Sequence, residues 1–378
     1  MRVLVVTPWY PDAGDGGGSF VEDQVSSIAM HHEPAVLHLT PSGSGPSRLE
    51  TGGPWLVLRA APPIPALRGT AAIRDLAGVA TGIRRLRAIG FRPELLHAHV
   101  FGAALASVPA ARMLRIPLVV SEHYSGLARG DVGRRGRLAA SIAYRSADAV
   151  CPVSASLRDT VAGLAPRARL LVMPNPVDER RFSPPEAGRK EGPVRVLVVA
   201  ALVPVKGVDV LIEAVSGLAA RRRDLRVTII GDGPERSAYV RRVQEAGMGE
   251  LIQLAGRRSR AEVAEAMQDA DLLVAPSRWE TFSVSVAEAL CSGLPVLGTR
   301  AGALPELVDE SNGRLVEPGD PVALAAALDD MLDTLTRYDR ADIAQRAAGR
   351  WGAESVGRRW SELYAELAER DHPAPRHG

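Results

Sequence analysis
Lysine is almost missing from this chain: Lys190 and Lys206 stand beside 44 arginines. Where arginine supplies nearly all the surface cations, a lone lysine marks a position with its own requirement. Cysteine is as scarce. Cys151 and Cys291 match no metal or redox spacing, which argues against a disulfide-stapled scaffold and makes a reducing, cytoplasmic setting the expectation. Aromatic residues make up 4% of the chain, and no continuous basic stripe runs among them, so nucleic acid is not an expected partner. Long apolar runs are missing as well. The longest, around Val194 to Val205, falls short of the ~20 residues that cross a bilayer as a helix, and the apolar part of MRVLVVTP is too short for a signal peptide.

The remainder is ordinary for a globular protein, 46% apolar with a net charge of +2 over 378 residues. That length exceeds the ~250–300 residues at which single cores stop growing, so two domains are expected. A segment punctuated by Pro174, Pro176, Pro184, Pro185 and Pro193 shows no apolar period and reads as the connection. The expected division is a first domain over 1–180, a linker over 181–193, a second domain over 194–352 and a final helix over 353–378 with a frayed tail. Charge is uneven between the halves: 20 Arg/Lys against 14 Asp/Glu up to residue 180, then 26 against 30. The positive first half, with Arg134, Arg135 and Arg137 clustered, suits an anionic partner, a lipid-linked acceptor or peripheral contact with the inner face of a membrane. A solvated surface is the plainer alternative.

The period of apolar positions sets the fold class. RVLVVT is a buried-strand run, WYPDAGDGGGSF a glycine- and proline-rich loop, and VEDQVSSIAM is helix-like. Strand runs recur at AVLHLT, LVLRA, LLHAHV, PLVVSEHY, AVCPVS and LLVMPNP, several of them separated by amphipathic stretches such as IRDLAGVATGIRRLRAIG. A second series begins at VRVLVVAAL and continues through RVTIIGDG, LIQLAG, DLLVAPS, PVLGT and GRLVEP, with helical segments between them. Such alternation predicts an α/β protein with mostly parallel sheets and helices on both faces.

One stretch, RWETFSVSVAEALCSGLPV over 278–296, follows the strand DLLVAPS and carries Glu280 and Glu288. Ligands of parallel α/β sheets collect at the carboxyl ends of strands, which places Glu280 in the ligand loop and Glu288 on the helix after it. A cap at Thr281 or Ser283 would leave the amides of Phe282, Ser283 and Val284 free for an anion or sugar hydroxyls. The two carboxylates then stand roughly 10 Å apart, at ~1.5 Å per helical residue, a span suited to one elongated ligand. Without further context, a first-turn dipole partner and a solvated helix residue explain the pair as well.

Other patterns are weaker. GDG at 231–233 lacks the third glycine of a dinucleotide fingerprint. Asp269 and Asp271 form a DxD that precedes a strand, so helix-end charges are expected there and not a metal site. His97 and His99 share a strand face without a visible third ligand, which favours structural or acceptor-side roles over zinc.

VLVVAALVPVKGVDVLIEAV resembles the second-domain opening of the retaining GT-B glycosyltransferases of family four. The likeness continues through IIGDGP, ADLLVAPS, the glutamate pair, ALCSGLPVLGT and GALPELVDESNGRLVEPGD, and in the first half through TPWYP, GGGSFVEDQV, HAHV, SEHYS, ADAVCPVS and PNPVDERRF. It covers nearly the whole chain and looks closest to transferases of cell-surface polysaccharides. The resemblance implies a GT-B fold of two doubly wound Rossmann-like domains facing across a cleft, with the final helix crossing back to the first. It implies transfer of a hexose from a nucleotide-diphosphate sugar, of UDP or GDP type, to a carbohydrate, lipid-linked or small-molecule acceptor, with retention and without a metal or other cofactor.

Residue by residue, Lys206 would neutralise the donor phosphates, Glu280 contact the transferred sugar and Glu288 the ribose. Gly17 and Gly18 would admit the diphosphate, Gly231 and Gly233 would flank the base, and the Phe282, Ser283 and Val284 amides would complete the donor site. His123 would line the reacting centre, with His99 and Tyr124 on the acceptor side. One departure stands out: many relatives carry Gly-Arg where this chain has Ala200 and Ala201. Charge compensation then falls to Lys206, amides and Arg278, which keeps open a donor-binding subunit without turnover beside a partner transferase. A nucleotide-sugar epimerase of the same architecture is the other alternative.

Overall fold
A computed structural model describes residues 1–11, 19–40, 47–61, 71–185 and 192–371. Gly17, Gly18, Lys190 and the polar tail lie outside them. Two compact units emerge, Met1–Pro176 together with Ala353–Gly378, and Val177–Gly352. In chain order the first contains β1 (Arg2–Thr7), α1 (Ser19–Ala29), β2 (Glu33–Leu39), β3 (Arg48–Glu50), β4 (Leu56–Ala60), α2 (Ala71–Ala88), β5 (Leu95–His99), α3 (Val100–Leu114), β6 (Leu118–Glu122), α4 (Ser125–Ala128), α5 (Arg134–Ser146), β7 (Ala149–Pro152) and α6 (Ala155–Leu164). There follow β8 (Val194–Val199), α7 (Val208–Leu218), β9 (Leu225–Ile230), α8 (Arg236–Glu245), β10 (Ile252–Gly256), α9 (Arg260–Asp269), β11 (Leu272–Ala275), α10 (Val284–Cys291), β12 (Val296–Thr299), α11 (Leu304–Leu307), β13 (Gly313–Val316), α12 (Pro321–Thr334), α13 (Arg340–Trp351) and α14 (Ala353–Asp371).

Among the described residues the first unit holds a sheet ordered β3-β4-β2-β1-β5-β6-β7. Its pairs are parallel except β3 with β4. β1 is apolar on successive residues, and β5 is buried along its whole length, because helices cover both faces of the sheet. Val3, Val5, Val36 and Val57 meet α1 and α14 on one face, where Trp360 and Tyr364 are fully buried. Val356, Trp360, Leu363, Tyr364 and Leu367 recur at helical spacing, so α14 presents one apolar stripe to that core. On the other face α2 closes on Leu37 and Leu39 at Gly82 and Gly78.

The second unit's sheet runs β10-β9-β8-β11-β12-β13, parallel throughout. Strand order reverses beside β1 in the first sheet and beside β8 in the second. At such switch points the loops leaving the strand ends splay apart and leave a crevice for ligands. The strand ends at issue are those of β1 and β5, and those of β8 and β11.

Three sequence expectations change here. LLVMPNP forms no full strand: Leu170 bridges Val150 and Met173 donates to Pro152 O, after which Pro174 and Pro176 have no N–H to offer. The division between units precedes the expected linker, since Val177 donates to Trp351 O at 2.7 Å and Phe182 is buried in the second unit. Asp271 is no loose helix-end charge. Buried ahead of β11, it accepts the Arg195 N–H at 2.9 Å and pairs with that guanidinium.

Candidate active site
After β8 the chain makes a short 3-10 turn over Pro204–Lys206, and Gly207 then turns it into α7 with φ 65°. A Cβ there would lie 2.0 Å from Pro276 O, so this junction admits only glycine and brings the loops after β8 and β11 into contact. Across that contact Lys206 Nζ donates to both oxygens of Glu280, at 2.7 and 2.8 Å. Ser277 Oγ adds a third bond at 2.7 Å. Glu280 is 7% exposed, and these three bonds satisfy its buried oxygens.

Arg278 fastens the same two loops. Its guanidinium binds Asp209 through two bonds of 2.8 Å, and its backbone N–H and Nη1 reach Val205 O and Pro204 O. Arg278 holds the Asp209 carboxyl below the usual carboxylate range. Its charge is therefore already matched, and the free phosphate cation expected of it is instead a clamp on the Lys206 turn.

Ser283 precedes α10 with φ 76° and ψ 84°, a left-handed conformation that costs a residue with a Cβ about 1–2 kcal/mol. Its hydroxyl caps nothing. Although Ser283 is buried, its Oγ has no hydrogen-bond partner among the described residues. Phe282 is buried beside it, and the N–H groups at the start of α10, from Val284 on, lack intrahelical acceptors. One turn further on, Glu288 accepts from Arg260 Nη2 at 2.9 Å, and that guanidinium also lies 5.4 Å from the Phe182 ring. Gly231 and Gly233 pack against the backbone of Ala200 and Leu202, so they join the GDG loop to the loop after β8.

In the first unit His97 and His99, both buried, and the half-buried His123 form a stack with ring centroids 5.1 Å apart at each step. His123 Nε2 and His99 Nδ1 share a hydrogen bond of 3.1 Å. Beneath them His97 reaches Tyr364 Oη at 2.6 Å and Ser121 Oγ at 2.8 Å, and Gln24 donates to that serine. Burial pushes His97 and His123 down to about 3 and His99 well below its ordinary value. Near neutrality His123 therefore acts as an uncharged hydrogen-bonding group. Phe20 lies against it at 5.0 Å, and Tyr124, 38% exposed, tilts against Trp9.

Glu122 organises this end of the sheet. Fully buried, it accepts from the N–H groups of Phe101, His123 and Tyr124 at 3.0, 3.0 and 2.8 Å and from Tyr144 Oη at 2.6 Å. Burial pushes its carboxyl upward, and the four donors counter that. Val100, next to the first of them, has φ 62°, an outlier for a β-branched residue that is held in place by this network.

The structure thus joins Lys206, Glu280, Ser277, Arg278 and Asp209 in one cluster, and His99, His123 and Tyr124 around another. Glu288 stands with Arg260. Gly17 and Gly18 lie outside the described residues. Glu122, Asp209, Ser277 and Arg260 escape sequence reasoning: their partners are distant in the chain, and one arginine among 44 carries no signal. Among the described residues no three His, Cys, Asp or Glu side chains converge as a metal site, and no helix is long and apolar enough to cross a membrane.

A lysine-carboxylate pair at a strand-end loop, next to a helix start, is equipped to meet an anion and a polyol together. Known proteins are similar to this chain along both of its halves. Residues 14–181 match the model for Glycosyltransferase Family 4, and residues 179–349 that for Glycosyl transferases group 1. Glycogen synthase of Mycobacterium tuberculosis is 28% identical over 100% of this chain and 97% of its own length. The 2-deoxystreptamine N-acetyl-D-glucosaminyltransferase of Streptomyces fradiae is 31% identical over 95% of each chain. Anabaena Alr3699/HepE, solved in complex with UDP, superposes with a TM-score of 0.73 at 18% identity, covering 97% of this chain and 100% of that one. Two parallel-sheet α/β units of this order are the GT-B fold. With a relative matched end to end and both halves of the family signature present, this chain belongs to the glycosyl transferases of group 1, glycosyltransferase family 4.

Proposed function
We propose that this glycosyltransferase moves a hexose from a nucleoside-diphosphate sugar to an acceptor hydroxyl with retention of anomeric configuration and without a metal ion. The observation that carries the reading is the pair of bonds from Lys206 Nζ to Glu280, at 2.7 and 2.8 Å. The donor's diphosphate competes for the ammonium, and Glu280, released from it, accepts hydrogen bonds from the sugar's hydroxyls. Glu288, on α10, is assigned to the ribose, which then competes with Arg260. As the bond from the anomeric carbon to phosphate oxygen breaks, negative charge grows on the diphosphate, where Lys206 and the amides of Phe282, Ser283 and Val284 stabilise it. The acceptor oxygen forms the new bond on the same face, and its proton passes to the departing phosphate oxygen. His123 and Tyr124 are assigned to the reacting sugar and the acceptor.

UDP in the Anabaena structure supports a uridine donor as the first to test. The two relatives differ in the acceptor that their names imply, a glucan in one and an aminocyclitol in the other. The acceptor reading is accordingly kept to a hydroxyl of a carbohydrate, a lipid-linked sugar or a small molecule. Lys206→Ala should lower turnover ~100-fold or more, about 2.7 kcal/mol of transition-state stabilisation, while EDTA leaves the wild type unchanged. Near-normal turnover of the variant would remove Lys206 from the reaction, and inhibition by EDTA would remove the metal-free scheme.

A second reading, donor binding without turnover in support of a partner transferase, is favoured by Ala201 and by the engagement of Arg278 with Asp209. UDP-sugar binding by the wild type with no product from any acceptor, alone or with cell extract, would select it over the first. Conversion of the donor without an acceptor would select an epimerase instead.

A further inference from the structure
Helix α5, Arg134–Ser146, has two faces of opposite purpose. Ala140, Ala143 and Tyr144 are buried, and Tyr144 reaches Glu122. On the opposite face Leu138 and Ile142 are 63% and 47% exposed. Arg135 and Arg145 continue that face at helical spacing, and Arg134 and Arg137 flank it, all exposed. The helix contains no acidic residue. None of the four guanidinium groups has an ion pair among the described residues.

Helix energetics do not call for this pattern. Three arginines in the first turns set positive charge against the positive end of the helix dipole, and the cap, Gly133, offers no side-chain bond. Two large aliphatic side chains in water add nothing to the fold. On the neighbouring helix, with which α5 packs, Met113 is 75% exposed between exposed Arg112 and Arg115.

The geometry points to the outer face of α5 as a docking surface for an anionic lipid bilayer. An amphipathic basic helix lies in the headgroup plane, with its aliphatic residues below the phosphates and its arginines among them. The same helix holds, through Tyr144 and Glu122, the backbone of His123 and Tyr124, so the docked face backs directly onto the loop of the first unit's candidate site. Unmatched positive charge around the aliphatic pair selects the lipid interface: phosphate headgroups and acyl chains satisfy both at once, with no shaped groove required.

Purified full-length protein would be sedimented at low salt with vesicles of phosphatidylcholine alone or with phosphatidylglycerol added. Association with the anionic vesicles should be at least ~10-fold stronger. Leu138→Ser with Ile142→Ser should weaken it ~10-fold at an unchanged unfolding midpoint, and Arg134→Gln with Arg135→Gln and Arg137→Gln should do so at least as strongly. The proposal is overturned if the anionic vesicles are not bound, if neither variant weakens binding, or if only the arginine variant does, which reduces the contact to diffuse charge attraction. Binding to an acidic protein in place of either vesicle overturns it as well.

Discussion

At the scale of the residue, Ser283 holds a backbone conformation that glycine adopts freely, and it leaves a buried hydroxyl unpaired. Ser283→Gly relieves both terms and gives back part of the gain through the looser unfolded chain. A net stabilisation of about 1 kcal/mol is expected, read from the urea midpoint. If the substitution destabilises, the strain is not real. If it stabilises and slows turnover, the conformation is maintained for the reaction. Lys206 could be singled out from the sequence because lysine is so rare there. Ser277, Asp209 and Glu122 could not, because what distinguishes each is a hydrogen bond formed only when distant loops meet. Arg278 misleads in the other direction, since its position beside Glu280 says nothing of the Asp209 carboxylate that occupies it.

At the scale of the element, the ends of β5 and β6 carry three stacked imidazoles. Their folded values lie well below the 6.5 of an exposed histidine. Unfolding therefore takes up protons as soon as the pH drops beneath that value. The stability that they carry is complete above pH 6.5 and is lost on acidification toward pH 3. With three sites at about 1.4 kcal/mol per pH unit each, the slope approaches about 4 kcal/mol per unit below pH 6. Denaturant titrations at pH 7, 6 and 5 would measure it, and a flat response would mean that the imidazoles take up protons as readily in the fold as in the unfolded chain. The strands bearing these residues were legible as apolar runs bounded by turns. The antiparallel β3 was not, being three residues long and largely exposed, and neither was the early end of LLVMPNP, where the apolar pattern runs on but the prolines cannot donate.

At the scale of the molecule, each unit has its own core, and Trp360 lies in the first. Trp360→Ala should cost about 3–5 kcal/mol there, visible as a lower denaturant midpoint for probes in β1–β7 while probes in β8–β13 keep theirs. Equal shifts in both would show that the cores melt as one. Alternation of apolar runs made the two-unit plan legible, but not where the chain passes between them, because that depends on the pairing of Val177 with the distant Gly352. That bridge has a mechanical corollary. The second unit is an insertion whose two ends are fastened side by side, so tension applied between β1 and α14 runs through the first unit alone. The second unit stays outside that load path, and a pull that strips α14 from the first unit's core would leave β8–β13 unstretched.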